Sequence, residues 1–182
     1  LVIAGLVAGS GGACAEPGVT PVSITFGQAA ALEGPALALG VNSRQGILAA
    51  FAEVNKSGGV RGRKLELISR DDGYEPIRSI EAVRKLIEED KIFALIGSVG
   101  TPTSQATLPI AIQAGVPFIA PLTGAAFLRD PSKTGVVNIR ASYFQETEAM
   151  VAHLTGDLGI TRIAILYPDD YGGRAVLAGV QQ

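Results

Sequence analysis

Residues 94–111, "ALIGSVGTPTSQATLPIA", run from an apolar stretch through two glycines into a Thr-Pro-Thr-Ser cluster and on into a helix-like apolar pattern. Strand, glycine turn and helix start are the parts from which α/β proteins build anion sites. The exposed N–H groups and the positive end of the helix dipole both face the gap beyond the strand. The spacing predicts a strand ending near Ser98 and a helix with Thr101 as N-cap and Pro102 at its first position, with Pro109 kinking it further on.

The same alternation extends in both directions. "VSITFGQAA" (22–30) reads as a first buried strand and "RKLELISRDD" (63–72) as a second. Between them Ile47, Phe51 and Val54 recur at helical spacing, and Gly58-Gly59 stops that helix. In "EPIRSIEAVRKLIEEDK" (75–91), Ile77, Ile80, Val83 and Ile87 form one stripe. "IFALIGS", "VPFIAP", "VVNIRAS" and "TRIAILY" follow as further extended segments, with helices starting at Ser142 and near Asp170. The resulting fold class is α/β, a parallel sheet with helices on both faces and right-handed crossovers. Ligands on such sheets bind beyond the carboxyl ends of the strands.

Composition narrows the chemistry. At 47% hydrophobic and 18% charged residues the chain can bury a core. A net charge of −2, with Lys and Arg scattered, argues against nucleic acid as a partner. One cysteine and one histidine give neither a disulfide framework nor a zinc cluster, so no metal or cofactor is expected. "LVIAGLVAGSGGACA" (1–15) is apolar, uncharged and ends in an A-x-A pattern, which reads as the remnant of an export signal. Lipid attachment at Cys14 and a plain apolar strand rank below that reading. The helical pattern at the other end stops without a cap signal, which reads as a piece of a longer protein.

The 97–104 loop lacks the Lys of a Walker A loop, and the turn after the first strand lacks G-x-G-x-x-G. It does offer the hydroxyls of Ser98, Thr101, Thr103 and Ser104 beside helix N–H groups, a set suited to a single carboxylate met by neutral donors. The alternative is that Thr101 only caps its helix. His153, mid-helix, has no nucleophile motif to serve. Asp71 and Asp72 fit a carboxylate pair or, more simply, turn formation and helix capping, and Asp169 and Asp170 read the same way. Tyr171, in a loop at a strand's carboxyl edge, either walls a pocket or packs.

Taken in order, "LEGPALALG", "NKSGGVRGRKLEL", "RDDGYEP", "GSVGTPTS" and "YPDDYGGRA" resemble the periplasmic leucine, isoleucine and valine binding protein family, type I solute-binding proteins of ABC transporters. The resemblance runs from about Val22 to the end of the chain. It implies two α/β lobes closing on a ligand, with residues 22–140 supplying most of the first lobe and 141–182 opening a second, similar one. It implies a small-molecule ligand, an amino acid of branched-chain type or a related carboxylate, and a membrane permease as partner. A monomer, a periplasmic or extracytoplasmic location and no catalysis go with it. Carried over by position, Thr101 meets the ligand carboxylate, Thr123 and Ala125 meet the α-ammonium group, and Tyr171 is a second-lobe aromatic. Leu39 stands where family members often carry an aromatic ring. A ligand-sensing domain with the same fold is the alternative role, and a Rossmann-like enzyme ranks below both.

Overall fold

A computed structural model describes residues 16–181. The export-signal reading of residues 1–15, Cys14 included, falls outside them. Five parallel strands, β1 (Ser23–Ala30), β2 (Lys64–Asp71), β3 (Ala94–Ile96), β4 (Phe118–Ile119) and β5 (Val136–Val137), form one sheet in the order β2-β1-β3-β4-β5. Helices α1 (Leu37–Lys56), α2 (Pro76–Glu88) and α3 (Thr101–Gln113) make the crossovers. The strand alternation of β1 sorts the two faces. Phe26 packs on Phe51 of α1, whereas a side chain at Gly27 would meet Leu86 of α2 and Ile92. The main core lies on the second face, where Val83, Leu86, Leu95, Leu108 and Phe118 are fully or almost fully buried.

The sequence pattern placed these elements, with three differences. The buried stripe of α2 is Ser79, Ala82, Val83 and Leu86, and Ile77 is exposed. Ser79 faces inward because its hydroxyl has a partner there, donating to Asp72, 2.9 Å away, just past the end of β2. "TRIAILY" does not form a strand: residues 159–168 carry no regular structure, and no described strand lies beside them to supply a ladder. Thr101 is the first residue of α3 rather than its cap; Gly100, at φ 104°, precedes it and no side chain caps the helix. Beyond the sheet, α4 (Tyr143–Ala152) opens on a capping box between Ser142 and Gln145, runs into a π-helical turn (His153–Asp157), and packs against α5 (Tyr171–Val180). Among the described residues no helix is long and apolar enough to cross a membrane.

Two features tie the loops at the carboxyl edge. Gly40, the second glycine of "EGPALALG", lies so close to the chain leaving β1 that a Cβ there would collide with the Ala31 carbonyl. Asp71 accepts from the N–H groups of Leu32 (2.7 Å), Glu33 (3.1 Å) and Gly73 (3.3 Å) and pairs with Arg78. Burial pushes the Asp71 carboxyl up, but these donors and Arg78 outweigh it and hold it below its ordinary value.

Gly40→Ala should cost about 1–3 kcal/mol through forced displacement of the 31–36 loop, read as a lowered urea midpoint. For Asp71 the sign follows from a lowered folded pKa. The stability it lends is present above the unfolded value of 3.8 and is lost as pH falls through the folded one. Asp71→Asn should therefore flatten the acid limb of the stability curve, measured as urea midpoints from about pH 7 to about pH 2.

Candidate functional site

The strand order reverses between β1 and β3: the chain leaving β1 crosses through α1 to β2 on one side, the chain leaving β3 crosses through α3 to β4 on the other, and such a switch point opens a crevice at the carboxyl edge. The chain leaving β3 is carried past the sheet by a single parallel bridge, Val99 to Leu122, with Leu122 N–H donating to the Ser98 carbonyl at 2.8 Å. That register brings together two residues 22 positions apart. Thr101 Oγ1 and Thr123 Oγ1 lie 2.6 Å from each other, and the Tyr143 hydroxyl stands 3.0 Å from the first and 3.2 Å from the second. Thr101 is 3% exposed, Thr123 fully buried and Tyr143 half-buried, so three hydroxyls converge in a largely buried site at the amino end of α3.

Tyr143 is held there by its neighbours. Its N–H donates to the Gly124 carbonyl at 2.8 Å, and a Cβ at Gly124 would stand 2.7 Å from both the Tyr143 nitrogen and its ring, so only glycine admits this approach. Arg129, from the 3₁₀ turn Ala126–Arg129, donates to the carbonyls of Ala125, Arg140 and Ala141 and clips the chain entering α4. Arg140 in turn holds Glu146 with two bonds, of 2.6 and 2.7 Å, and lies over the Tyr143 ring.

A second tyrosine arrives from the loop after β2. Tyr74 sits at φ 68° directly after Gly73, and its N–H donates to the carboxylate of the fully buried Asp72. Burial pushes its phenol above the ordinary value, and the neighbouring Tyr143 and Asp170 add to this. A cavity of about 230 Å³ is lined by Tyr74, Thr101 and Tyr143 and, from the α5 side, by Tyr167, Asp170 and Gly172; no Lys or Arg lines it. A larger depression of about 470 Å³ lies at the amino end of β4, between α3 and the chain entering β5, away from the edge where such sheets bind ligands.

Of the residues singled out from sequence, Thr101 and Thr123 meet directly. Ala125 is fully buried beside them, its N–H donating to Thr123 Oγ1 at 3.2 Å. The Thr103 hydroxyl turns back onto the Val99 and Gly100 carbonyls, and Ser98 is buried with its hydroxyl unpartnered, as is Ser104. Tyr171 is not brought to the hydroxyl cluster. Its ring stands edge-on to Phe127 at 5.4 Å, and Gly172 takes the place beside Thr101. The acid pairs act as turn formers and caps: Asp72 anchors Tyr74 and Ser79, Asp170 caps α5 at Gly173, and Asp169 pairs with Arg174. Sequence reading missed Tyr74 and Tyr143. The signals were an aromatic directly after Asp-Asp-Gly at a strand's carboxyl edge, and one directly after the Ser of a Ser-x-x-Gln cap.

Thr123→Val should cost about 1–3 kcal/mol, since it strands the Ala125 N–H and takes one hydroxyl partner from each of Thr101 and Tyr143. Thr123→Ser should restore most of it, both read by chemical denaturation.

A family model described as periplasmic binding protein matches residues 23–182. A Leu/Ile/Val-binding protein of Rhizobium johnstonii is 30% identical over 146 residues, 79% of this chain and 39% of that one. Among solved structures, a possible leucine/isoleucine/valine-binding protein from Rhodopirellula baltica aligns with a TM-score of 0.83 and 38% identity over 93% of this chain and 45% of its own. An extracellular ligand-binding receptor from Verminephrobacter eiseniae gives 0.80 and 34% over 88% of this chain and 45% of its own. The chain thus spans less than half the length of these relatives.

Proposed function

This chain belongs to the periplasmic binding protein family, and from that premise we propose that it is part of an extracytoplasmic solute-binding protein. It captures an amino acid of branched-chain type, or a related small carboxylate, between two lobes and delivers it to the membrane permease of an ABC transporter. Residues 22–140 supply most of one lobe, and 141–182 begin the second. The observation that carries the reading is the meeting of Thr101, Thr123 and Tyr143 at the amino end of α3. Neutral hydroxyl donors beside a helix dipole suit one negative charge, and a cavity without Lys or Arg does not suit a phosphate.

The proposed residues divide by position. Thr101 and the first N–H groups of α3 face the carboxylate, with Ser98 and Thr103 shaping that turn. Thr123 and the backbone at Ala125 face the α-ammonium group. Tyr171 belongs to the second lobe and would reach ligand only through a change in how α5 sits, since its ring now rests on Phe127. No bond is made or broken; the work is a shift between an open form and a closed, ligand-bound form that the permease recognises.

Thermal unfolding of the complete mature protein against amino acids, small carboxylates, amides and sugars tests this. A ligand at about 100 times its Kd should add about 2.7 kcal/mol. Stabilisation by aliphatic amino acids is the expected result, and Thr101→Val should abolish most of it. Stabilisation by uncharged amides or sugars alone would overturn the carboxylate assignment.

A further inference from the structure

Tyr74 reaches the site from a strand that the ligand edge does not otherwise use. The 72–76 loop takes two consecutive left-handed residues, Gly73 at φ 57° and Tyr74 at φ 68°, and the second carries a large side chain in a conformation such residues rarely adopt. Buried Asp72 enforces it, with one carboxylate oxygen accepting from the Tyr74 N–H and the other from the Ser79 hydroxyl, both at 2.9 Å. The product of that turn is a ring laid on Gly100. A Cβ at position 100 would stand 2.6 Å from Tyr74 Cε2 and 2.9 Å from Cζ, so the aromatic occupies space that only glycine leaves free. The phenol end comes beside the Thr101 N–H and close to Tyr143, on the wall of the 230 Å³ cavity.

We propose that Tyr74 is a specificity-determining residue of the ligand site, its phenol donating to the ligand's carboxylate alongside Thr101 while its ring walls the amino end of α3. The assignment rests on the amino-acid reading above and narrows it. The phenols of Tyr74, Tyr143 and Tyr167, the Thr101 hydroxyl backed by Thr123, and a helix end provide several donors and no cation, and Asp170 on the facing wall repels a second negative charge. The set therefore favours a monocarboxylate whose remaining groups are neutral or cationic. Burial keeps the Tyr74 phenol protonated through neutral and mildly alkaline pH, so it remains a donor there.

The test uses the complete mature protein and calorimetry with L-leucine, L-isoleucine, L-valine and L-phenylalanine, each beside its primary amide. Tyr74→Phe keeps the ring and removes the donor. It should weaken binding of the acid about tenfold, leave the amide unchanged and leave the unfolding temperature in place. Tyr74→Ala should weaken both acid and amide further. Acid affinity within about twofold of wild type in Tyr74→Phe would overturn the assignment, as would equal losses for acid and amide. Wild-type protein that takes up none of the four acids would overturn the amino-acid reading itself.

Discussion

Everything at the ligand edge depends on β1 being paired on both sides. It runs parallel to β2 over all eight of its residues and to β3 through Phe26 and Gly27, and the Val99 N–H still reaches the Ala29 carbonyl beyond the end of β3. A parallel strand cannot be joined to its neighbour by a tight hairpin, so the chain leaving β1 crosses through α1 to β2 on one side and the chain leaving β3 crosses through α3 to β4 on the other. The loops leaving β1 and β3 therefore part from each other. The crevice between them is a consequence of connectivity, present before any side chain is chosen.

What the side chains decide is how rigidly that crevice is framed, and here buried polar groups do most of the work. Gln28, fully buried on β1, donates to the Gly97 carbonyl at 3.1 Å and to Ser43 of α1 at 3.3 Å, and accepts from Ser69 of β2 at 3.0 Å. One side chain thus ties three elements directly beneath the Thr101 turn. Asp71 and Asp72 show how closely environment controls charge, since these adjacent residues shift in opposite directions. Asp71, met by three N–H groups and Arg78, stabilises the fold in its ionised form. Burial raises the pKa of Asp72, which costs stability as pH rises from the ordinary 3.8 through its folded value. Retaining a costly buried acid is understandable where its carboxylate is the group that holds the Tyr74 N–H in a left-handed turn.

The pattern of strands and helices was legible because period and punctuation agree. Continuous apolar runs, helical stripes and glycine stops all point to one parallel sheet, and the helix start at Ser142 could be read directly. The meeting of Thr101 with Thr123 was legible only through family resemblance, because it depends on a single bridge between loops that leaves no local trace. Tyr74 and Tyr143 were not legible. Each is placed by a glycine elsewhere in the chain, Gly100 and Gly124, and a pairwise fit of ring to glycine has no periodicity. "TRIAILY" failed for the complementary reason: its β-propensity is real, but propensity is expressed only where a neighbouring strand accepts the ladder.

The hydroxyl cluster also constrains how binding must proceed. Thr101, Thr123 and Tyr143 already satisfy one another at 2.6–3.2 Å, so under the proposed function a carboxylate meeting them exchanges existing hydrogen bonds for new ones. Such exchanges contribute only about 1 kcal/mol each, and the arriving charge also gives up its hydration. Hydroxyl protons can turn toward a new acceptor without moving heavy atoms, which keeps the exchange fast and undemanding. Tight capture must then come from excluding water around those same donors, because a hydrogen bond to an ion strengthens as the local dielectric falls. A first surface made only of neutral, mutually satisfied groups is thus suited to weak, rapid reading, and under the proposed two-lobe function closure of the second surface is the step that sets affinity.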